Sequence, residues 1–153
     1  MKYYIAYGSN LNKEQMARRC PGAVDVGTGK IADYKLVFRR GYLTIEPEEG
    51  SSVNVGVWQI TDEDEKKLDR YEGFPRFYHK EYFAIPTSFN AGEVMCMAYI
   101  MNDGFPIKRS TREYRETVEQ GFHDFGFDIV PLLEADLDAY VQRAMESHVF
   151  GKL

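Results

Sequence analysis

The apolar residues of this 153-residue chain change their spacing near residue 110, and that change limits the folds open to it. Before it, short runs rich in aromatic and β-branched residues alternate with Gly, Pro and Asn, a pattern typical of strands joined by turns. We predict strands at 2–7, 34–38, 42–46, 53–60, 78–85 and 93–101. After it, apolar residues recur every three or four positions, as in amphipathic helices. The arrangement favours an α+β fold, with a mixed, mostly antiparallel sheet or small barrel and helices packed around it.

Two helices are predicted within the strand-rich part, each from signals at its ends. Asn12 is a candidate N-cap for a short helix that reaches Arg19. Thr61 precedes an acidic first turn and a basic last turn, the charge order that a helix dipole prefers. We expect this second helix to end near Tyr71, with Gly73 as its C-terminal stop.

Two further helices are predicted in the last third of the chain. One follows Ser110-Thr111 and the other follows Pro131. Such helices normally turn their apolar face toward the core. The predicted apolar faces are Tyr114, Val118, Phe122 and Phe125 in the first helix, and Leu133, Leu137, Tyr140, Val141 and Ala144 in the second.

Length and composition indicate an ordinary globular protein, and we predict a single domain over residues 1–153. Its 24 acidic and 19 basic residues leave a net charge of −5, which disfavours nucleic acid as a partner. No stretch is apolar enough to span a bilayer and no signal peptide is evident, so we expect no membrane partner and a cytoplasmic location. The aromatic content of 14% suits an apolar cleft or a homodimer interface.

Cysteine and histidine spacing indicates neither a metal site nor a covalent nucleophile. Cys20 and Cys96 lie outside any CxxC pattern, and we expect both to be reduced core thiols. The histidines, His79, His123 and His148, lie at no recognised pair or ligand spacing. We therefore expect no metal and no cofactor.

Tyr7-Gly8-Ser9-Asn10-Leu11 is the first candidate functional motif, a glycine turn directly between a strand and a helix. Backbone N–H groups converge in such a turn near the positive end of a helix, where they can hold a carboxylate or an oxyanion. Gly8 would allow a ligand to approach closely. A plain tight turn is the alternative interpretation.

The second candidate is Glu72, in a segment that reads Leu-Asp-Arg-Tyr-Glu-Gly from residue 68. A carboxylate at the C-terminal end of a helix is poorly placed electrostatically. Burial among Tyr71, Phe74 and Phe77 would raise its pKa and make it a proton acceptor near neutral pH. A solvated glutamate at a charged helix end is the alternative.

Together the two motifs resemble the signature of the γ-glutamylcyclotransferase family, in the broad form that includes the AIG2-like and γ-glutamylamine cyclotransferase branches. The Y-G-S-N-L motif matches 7–11, and L-D-x-x-E-G matches 68–73. The resemblance implies that Glu72 is catalytic. It also implies substrate-binding roles for Tyr7, Gly8, Ser9, Asn10 and Leu11, for Tyr78 and Tyr99 on later strands, and for Tyr114 in the late helix.

The reaction implied by this resemblance is attack of a substrate's α-amine on its own γ-carbonyl, which gives 5-oxoproline and a free amine. The reaction requires that the substrate be folded into the geometry of the ring and that a proton be transferred, and it requires no metal or covalent nucleophile. The resemblance implies that Glu72 transfers this proton. The motif of the glutathione-specific branch resembles Y-G-S-L, whereas residues 7–10 of this chain read Y-G-S-N. Glutathione is therefore disfavoured as the substrate. The leaving group stays open, and a non-catalytic binding module or an amidase using Cys20 or Cys96 are alternatives.

Overall fold

A computed structural model describes residues 2–150, with side chains described through residue 147, and confirms the α+β class. The predicted domain range, 1–153, extends past these residues at both ends. Five strands, four α-helices and one short 3-10 helix make up the described part of the chain. The strands are β1 Lys2–Ala6, β2 Val24–Arg39, β3 Tyr42–Ile60, β4 Tyr78–Ile85 and β5 Val94–Met101. The helices are the 3-10 helix Ser9–Leu11, α1 Lys13–Arg19, α2 Asp62–Glu72, α3 Arg112–Phe125 and α4 Val130–Phe150.

The strands form one sheet in the order β2-β3-β1-β5-β4. Only the β1–β5 pairing is parallel, so the sheet is mixed and mostly antiparallel, as predicted. The edge strand β2 bends toward the chain that follows β4, where Gly29 forms an isolated bridge with Thr87. The Thr28 carbonyl also accepts a hydrogen bond of 2.9 Å from the Ser88 N–H. These contacts curl the sheet toward a partly closed barrel.

The β2–β3 hairpin is longer than predicted. Residues 24–33 belong to β2, where the sequence predicts no strand, and β3 continues through Pro47 and Gly50, where the sequence predicts breaks. The pairing absorbs these residues through irregularities, with register shifts in β2 and an Asp33 carboxylate that accepts the Gly50 N–H at 2.9 Å. Proline is tolerated because β1 pairs with β3 only at residues 56–60, so Pro47 lies in a part of β3 that pairs with β2 alone and has its other edge outside the ladder.

Helix ends follow the sequence signals. The Asn12 side chain accepts the Gln15 N–H at 3.0 Å, and α1 ends at Arg19 as predicted. Thr61 forms a capping box with Asp64 at the start of α2. Gly73 ends α2 in the left-handed conformation with φ 67°, which glycine adopts without steric cost.

The prediction that the named apolar face of α4 is buried is wrong. Leu133, Leu137 and Tyr140 are 50%, 59% and 55% exposed. Leu132, Ala135 and Ala139 are buried instead, in a helix that packs on β2. The helix carries two apolar stripes, and the smaller side chains let its backbone come closer to the sheet. Within residues 2–150, no helix combines the length and hydropathy needed to cross a bilayer.

Candidate active site

The turn after β1 forms part of the lining of a cavity. Gly8, Ser9 and Asn10 all line it, and their N–H groups are the first of the short 3-10 helix, so they have no partner within that helix. No acceptor for them lies among the described residues. A methyl group on Gly8 would lie 3.2 Å from the Tyr114 hydroxyl, so only glycine leaves this approach open.

Asn10 connects the turn to the end of α2. Its amide nitrogen donates to the Tyr4 hydroxyl at 2.8 Å and lies 3.5 Å from a carboxylate oxygen of Glu72. Its amide oxygen accepts a hydrogen bond from the Arg19 guanidinium. Because Asn10 is 2% exposed and every polar atom of its side chain has a neighbour, its position beside Glu72 is fixed.

Tyr71 closes the same side of the cavity. Its hydroxyl lies 2.8 Å from the Ser9 hydroxyl, and its ring stacks on the Arg19 guanidinium at 3.5 Å from the ring centroid. The charge of Arg19 is therefore held by Asn10 and an aromatic face.

The last turn of α2 aims Glu72 at the cavity. Leu68, one turn earlier, is fully buried and anchors the helix. Asp69 accepts a hydrogen bond of 2.5 Å from the Tyr99 hydroxyl, and Lys80 lies 3.0 Å from the same carboxylate. These contacts bind α2 to strands β4 and β5 and fix the direction in which the following Glu72 points.

Burial raises the pKa of Glu72 to about 7. Arg19 and Arg40 oppose this shift from a distance, but among the described side chains no cation lies within ion-pair distance of this carboxylate. Because an acid with a raised pKa keeps its proton longer, Glu72 is largely protonated below pH 7 and largely ionised above it. The group can therefore accept and return a proton near neutrality.

The cavity has a volume of about 390 Å³. It receives Glu72 and all but one of the predicted substrate-binding residues, the exception being Leu11. Its lining consists of Tyr4, Tyr7, Gly8, Ser9, Asn10, Arg40, Tyr42, Leu43, Arg70, Tyr71, Glu72, Gly73, Phe77, Tyr78, Tyr99 and Tyr114.

Tyrosine hydroxyls in this lining bond mainly to the protein. Tyr7 donates to the Tyr99 carbonyl at 2.5 Å, and Tyr78 donates to the Leu43 carbonyl at 3.0 Å. The Tyr114 hydroxyl accepts the Leu43 N–H at 3.2 Å. Burial raises the pKa of Tyr7 well above its usual value, so it stays protonated. The rings of Tyr7 and Tyr99 therefore wall the cavity while their hydroxyl protons are held by the protein.

Leu11 lies behind the turn and not in the cavity. It is fully buried, and its side chain meets α3 at Gly121, where an added Cβ would come within 2.6 Å of it. Its place in the motif is explained by support of the turn from behind.

Arg40 is the cavity residue that the sequence analysis missed with most consequence. It occupies the tip of the β2–β3 hairpin, between Arg39 and Tyr42, which pair with each other. The available signal was the Arg-Gly pair between two predicted strands, which fits a two-residue hairpin turn. Tyr4, Tyr42, Leu43 and Arg70 were also missed, whereas Tyr71 and Phe77, expected beside Glu72, do line the cavity.

Neither thiol reaches the cavity. Cys20 and Cys96 are buried, and burial raises the pKa of each to about 11, so both are protonated thiols at neutral pH. Among the described residues, no three His, Cys, Asp or Glu side chains are grouped to hold a metal ion. The side chain of His148 lies outside the described residues.

Comparison with known proteins identifies the family. The model of the family described as "Gamma-glutamyl cyclotransferase, AIG2-like" matches residues 4–122. A γ-glutamylcyclotransferase of Bos taurus is 26% identical over 137 residues, which cover 82% of this chain and 72% of that protein. The Mus musculus γ-glutamylcyclotransferase is 25% identical over 134 residues, covering 80% and 71%.

A solved structure shares the fold. It is described as a γ-glutamyl cyclotransferase and aligns with a TM-score of 0.71 at 24% identity, covering 91% of this chain and 86% of that one. The matched range 4–122 contains both the turn at 7–11 and the end of α2 that carries Glu72. The chain belongs to the γ-glutamyl cyclotransferase, AIG2-like family.

Proposed function

We propose that this protein is an enzyme that converts a γ-glutamyl amino acid or γ-glutamyl amine into 5-oxoproline and the free amine, with Glu72 as general acid and base. The observation that carries this proposal is the half-buried Glu72 carboxylate, with its pKa near 7, in the wall of a cavity that Gly8, Ser9 and Asn10 also line. The only partner required is the small-molecule substrate. We place the reaction in the cytoplasm, without a cofactor.

The chemistry is an exchange of one amide for another within a single molecule. The substrate's α-amine nitrogen attacks its γ-carbonyl carbon, forming the ring C–N bond and a tetrahedral oxyanion. Collapse of this intermediate breaks the original C–N bond and releases the amine. Glu72 accepts the proton that the attacking nitrogen loses and gives it to the leaving nitrogen, so no net proton or electron is required.

The turn at Gly8–Asn10 supplies the electrostatic part of this mechanism. Its N–H groups suit either a carboxylate of the substrate or the oxyanion, and donors that are already oriented cost no reorganisation during the reaction. The surrounding tyrosine rings exclude water and hold the substrate in the folded conformation that ring closure needs. Holding the two ends of one molecule together accounts for much of the acceleration.

A pKa near 7 matches the demands of this proton transfer. A carboxylate with an ordinary pKa would be ionised at neutral pH but too weak a base for an amine, and a poor donor afterwards. Burial without a cation in contact gives Glu72 a higher basicity while leaving about half of it ionised near neutrality.

Release of 5-oxoproline from γ-glutamyl amino acids and γ-glutamyl amines, measured for the native protein and for Glu72→Gln, tests the proposal. We expect the variant to lose about 10²- to 10⁴-fold in kcat. Glu63→Gln is a matched control, since Glu63 lies on the same helix but is exposed and paired with Lys66. Both variants should keep the native circular dichroism spectrum. Folded native protein that releases no product from any substrate would overturn the proposal in favour of a binding module.

A further inference from the structure

Arg40 occupies a turn position at which the residue type is usually determined by the backbone conformation and not by the side chain. Its φ of 58° and the φ of 85° at Gly41 are both positive, and Arg39 pairs with Tyr42 across them. Two-residue turns of this kind favour Asn-Gly or Gly-Gly, because the first residue must adopt the left-handed conformation. An arginine gains nothing from that conformation, so the reason for its presence lies in its side chain.

The Arg40 side chain is placed among aromatic rings without an anionic partner. Its guanidinium lies 4.1 Å from the centroid of Phe77 and 4.8 Å from that of Tyr42. Its Nε atom is buried and has no hydrogen-bond partner among the residues that the structure describes. No carboxylate within the described part of the chain comes within ion-pair distance of it.

Burying a hydrogen-bond donor of a charged group costs free energy unless the donor has an acceptor. Since Arg40 lines the cavity that holds Glu72, a ligand in that cavity is in reach to supply the missing acceptor. Arginine is suited to this task because its planar fork binds a carboxylate through two parallel hydrogen bonds. Arg70 also lines the cavity, but it is exposed to solvent, where an ion pair contributes little.

Arg40 and the N–H turn contact different residues near Glu72. Asn10 reaches it from the turn after β1, while Arg40 lies over Phe77, whose ring packs against Gly73 just beyond Glu72. With the N–H groups of the turn assigned to the oxyanion or to the carboxylate of the glutamyl half, Arg40 is left as the donor for a second carboxylate. The glutamyl half carries one carboxylate, and the leaving group carries a second only if it is an amino acid.

We propose that Arg40 binds the carboxylate of the leaving group and thereby selects γ-glutamyl amino acids over γ-glutamyl amines. This inference rests on the proposed cyclotransferase function and adds to it the chemical class of the leaving group. Arg40 is a specificity residue in this scheme, whereas Glu72 carries the proton.

Three substrates that differ in one group test this inference: γ-glutamyl-alanine, its neutral form γ-glutamyl-alaninamide, and γ-glutamyl-ethylamide, which lacks the carboxyl carbon. We expect the native protein to prefer γ-glutamyl-alanine by about 10- to 100-fold in kcat/KM, the size of a hydrogen-bonded charge pair. Arg40→Met should lose about that factor on γ-glutamyl-alanine, chiefly through KM, and stay within about threefold on the other two. Arg40→Lys should restore part of the preference, since it keeps the charge and loses the planar fork.

Arg76→Met is the matched control, because Arg76 also stacks on Phe77, at 5.1 Å, but is exposed and does not line the cavity. We expect it to behave as the native protein. Arg40→Asn suits the left-handed turn and tests the same point if Arg40→Met fails to fold.

Equal native rates on all three substrates would overturn the role of Arg40 and leave the cyclotransferase proposal standing. An equal loss on all three in folded Arg40→Met would also overturn it, because Arg40 would then serve the glutamyl half or the cavity wall. A lost preference in Arg70→Met with Arg40→Met unchanged would assign the role to Arg70 instead. No release from any substrate by folded native protein would overturn both proposals.

Discussion

Asp69 and Glu72 lie one turn apart on α2, carry the same functional group and have opposite surroundings. Asp69 accepts the Tyr99 hydroxyl at 2.5 Å and pairs with Lys80 at 3.0 Å. Glu72 lacks an ion-pair partner among the described residues, and its pKa is raised to about 7 by burial. The difference teaches that a short hydrogen bond and a paired cation give a carboxylate a structural role, and that burial with only a long contact to a neutral amide gives it a raised pKa and a role in proton transfer.

The largest expected effect comes from shortening the proton carrier. Glu72→Asp keeps the carboxylate but withdraws it by one methylene, and a displacement of this size typically costs about 10²-fold in rate. We expect kcat to fall by about that factor while KM changes little. Steady-state assays of 5-oxoproline release measure it, and an unchanged kcat would contradict a role for Glu72 at the reacting atoms.

A dependence on pH is the next largest effect. The carboxylate must be ionised to accept a proton, so kcat/KM should fall about tenfold per pH unit below an apparent pKa near 7. Asp69→Asn should leave this apparent pKa in place, since it does not change the burial of Glu72. An acid limb near pH 4 would instead place Glu72 in open solvent.

Loss of the contacts that Asp69 makes with Tyr99 and Lys80 should affect stability more than the reaction rate. In Asp69→Asn the amide oxygen can still accept the Tyr99 hydroxyl, but Lys80 loses one of its two carboxylates and keeps Glu65 at 2.6 Å. We expect the free energy of unfolding to fall by about 1 to 3 kcal/mol and kcat to fall less than about tenfold. Denaturant unfolding and activity assays on the same sample would separate these effects. A fall in kcat of more than about tenfold, with the free energy of unfolding unchanged, would contradict the different roles assigned to the two carboxylates.

The smallest expected effect is a gain in stability on neutralising Glu72. Because its folded pKa lies above its unfolded value, the folded state holds the proton more tightly, and stability falls as pH rises from about 4.5 to about 7. Glu72→Gln lacks this loss. It should therefore be more stable than the native protein at pH 8, by about 1 kcal/mol, with a smaller difference at pH 5. Equal pH dependence in both proteins would contradict the burial of this carboxylate.

Both ends of α2 were predictable, because the sequence signals that mark them act over short distances along the chain. Thr61, the acidic first turn and Gly73 act within a few residues, and the structure has them as predicted. The surroundings of Asp69 were not predictable, because Lys80 and Tyr99 come from two later strands and meet it only when the sheet has formed. The raised pKa of Glu72 agrees with the expectation of burial among aromatic residues, of which Tyr71 and Phe77 line the cavity and Phe74 does not.

Arg40 and α4 show two other limits of the sequence analysis. The Arg-Gly pair marks a turn, but whether an arginine there turns to solvent or into a cavity depends on Phe77, 37 positions away. In α4 two apolar stripes compete, and periodicity cannot tell which one meets the sheet. Strand β3 continues past Pro47 and Gly50 because β1 pairs only with its last residues, 56–60, which the sequence cannot reveal.

The contact between α3 and the turn after β1 makes one wall of the cavity a single rigid part. Gly121 lets the α3 backbone meet Leu11, and the Asn12 side chain donates to the Thr117 carbonyl at 3.2 Å. Tyr114, on the first turn of α3, is thereby held in place opposite Gly8. The hairpin tip 40–42 is fastened as well, because the Arg40 N–H donates to the Pro106 carbonyl at 2.9 Å and the Tyr42 ring packs edge-on against Tyr114 at 5.2 Å. Redesign of this cavity for larger or differently charged leaving groups therefore has to exchange side chains on a backbone that is held at both the turn and the hairpin.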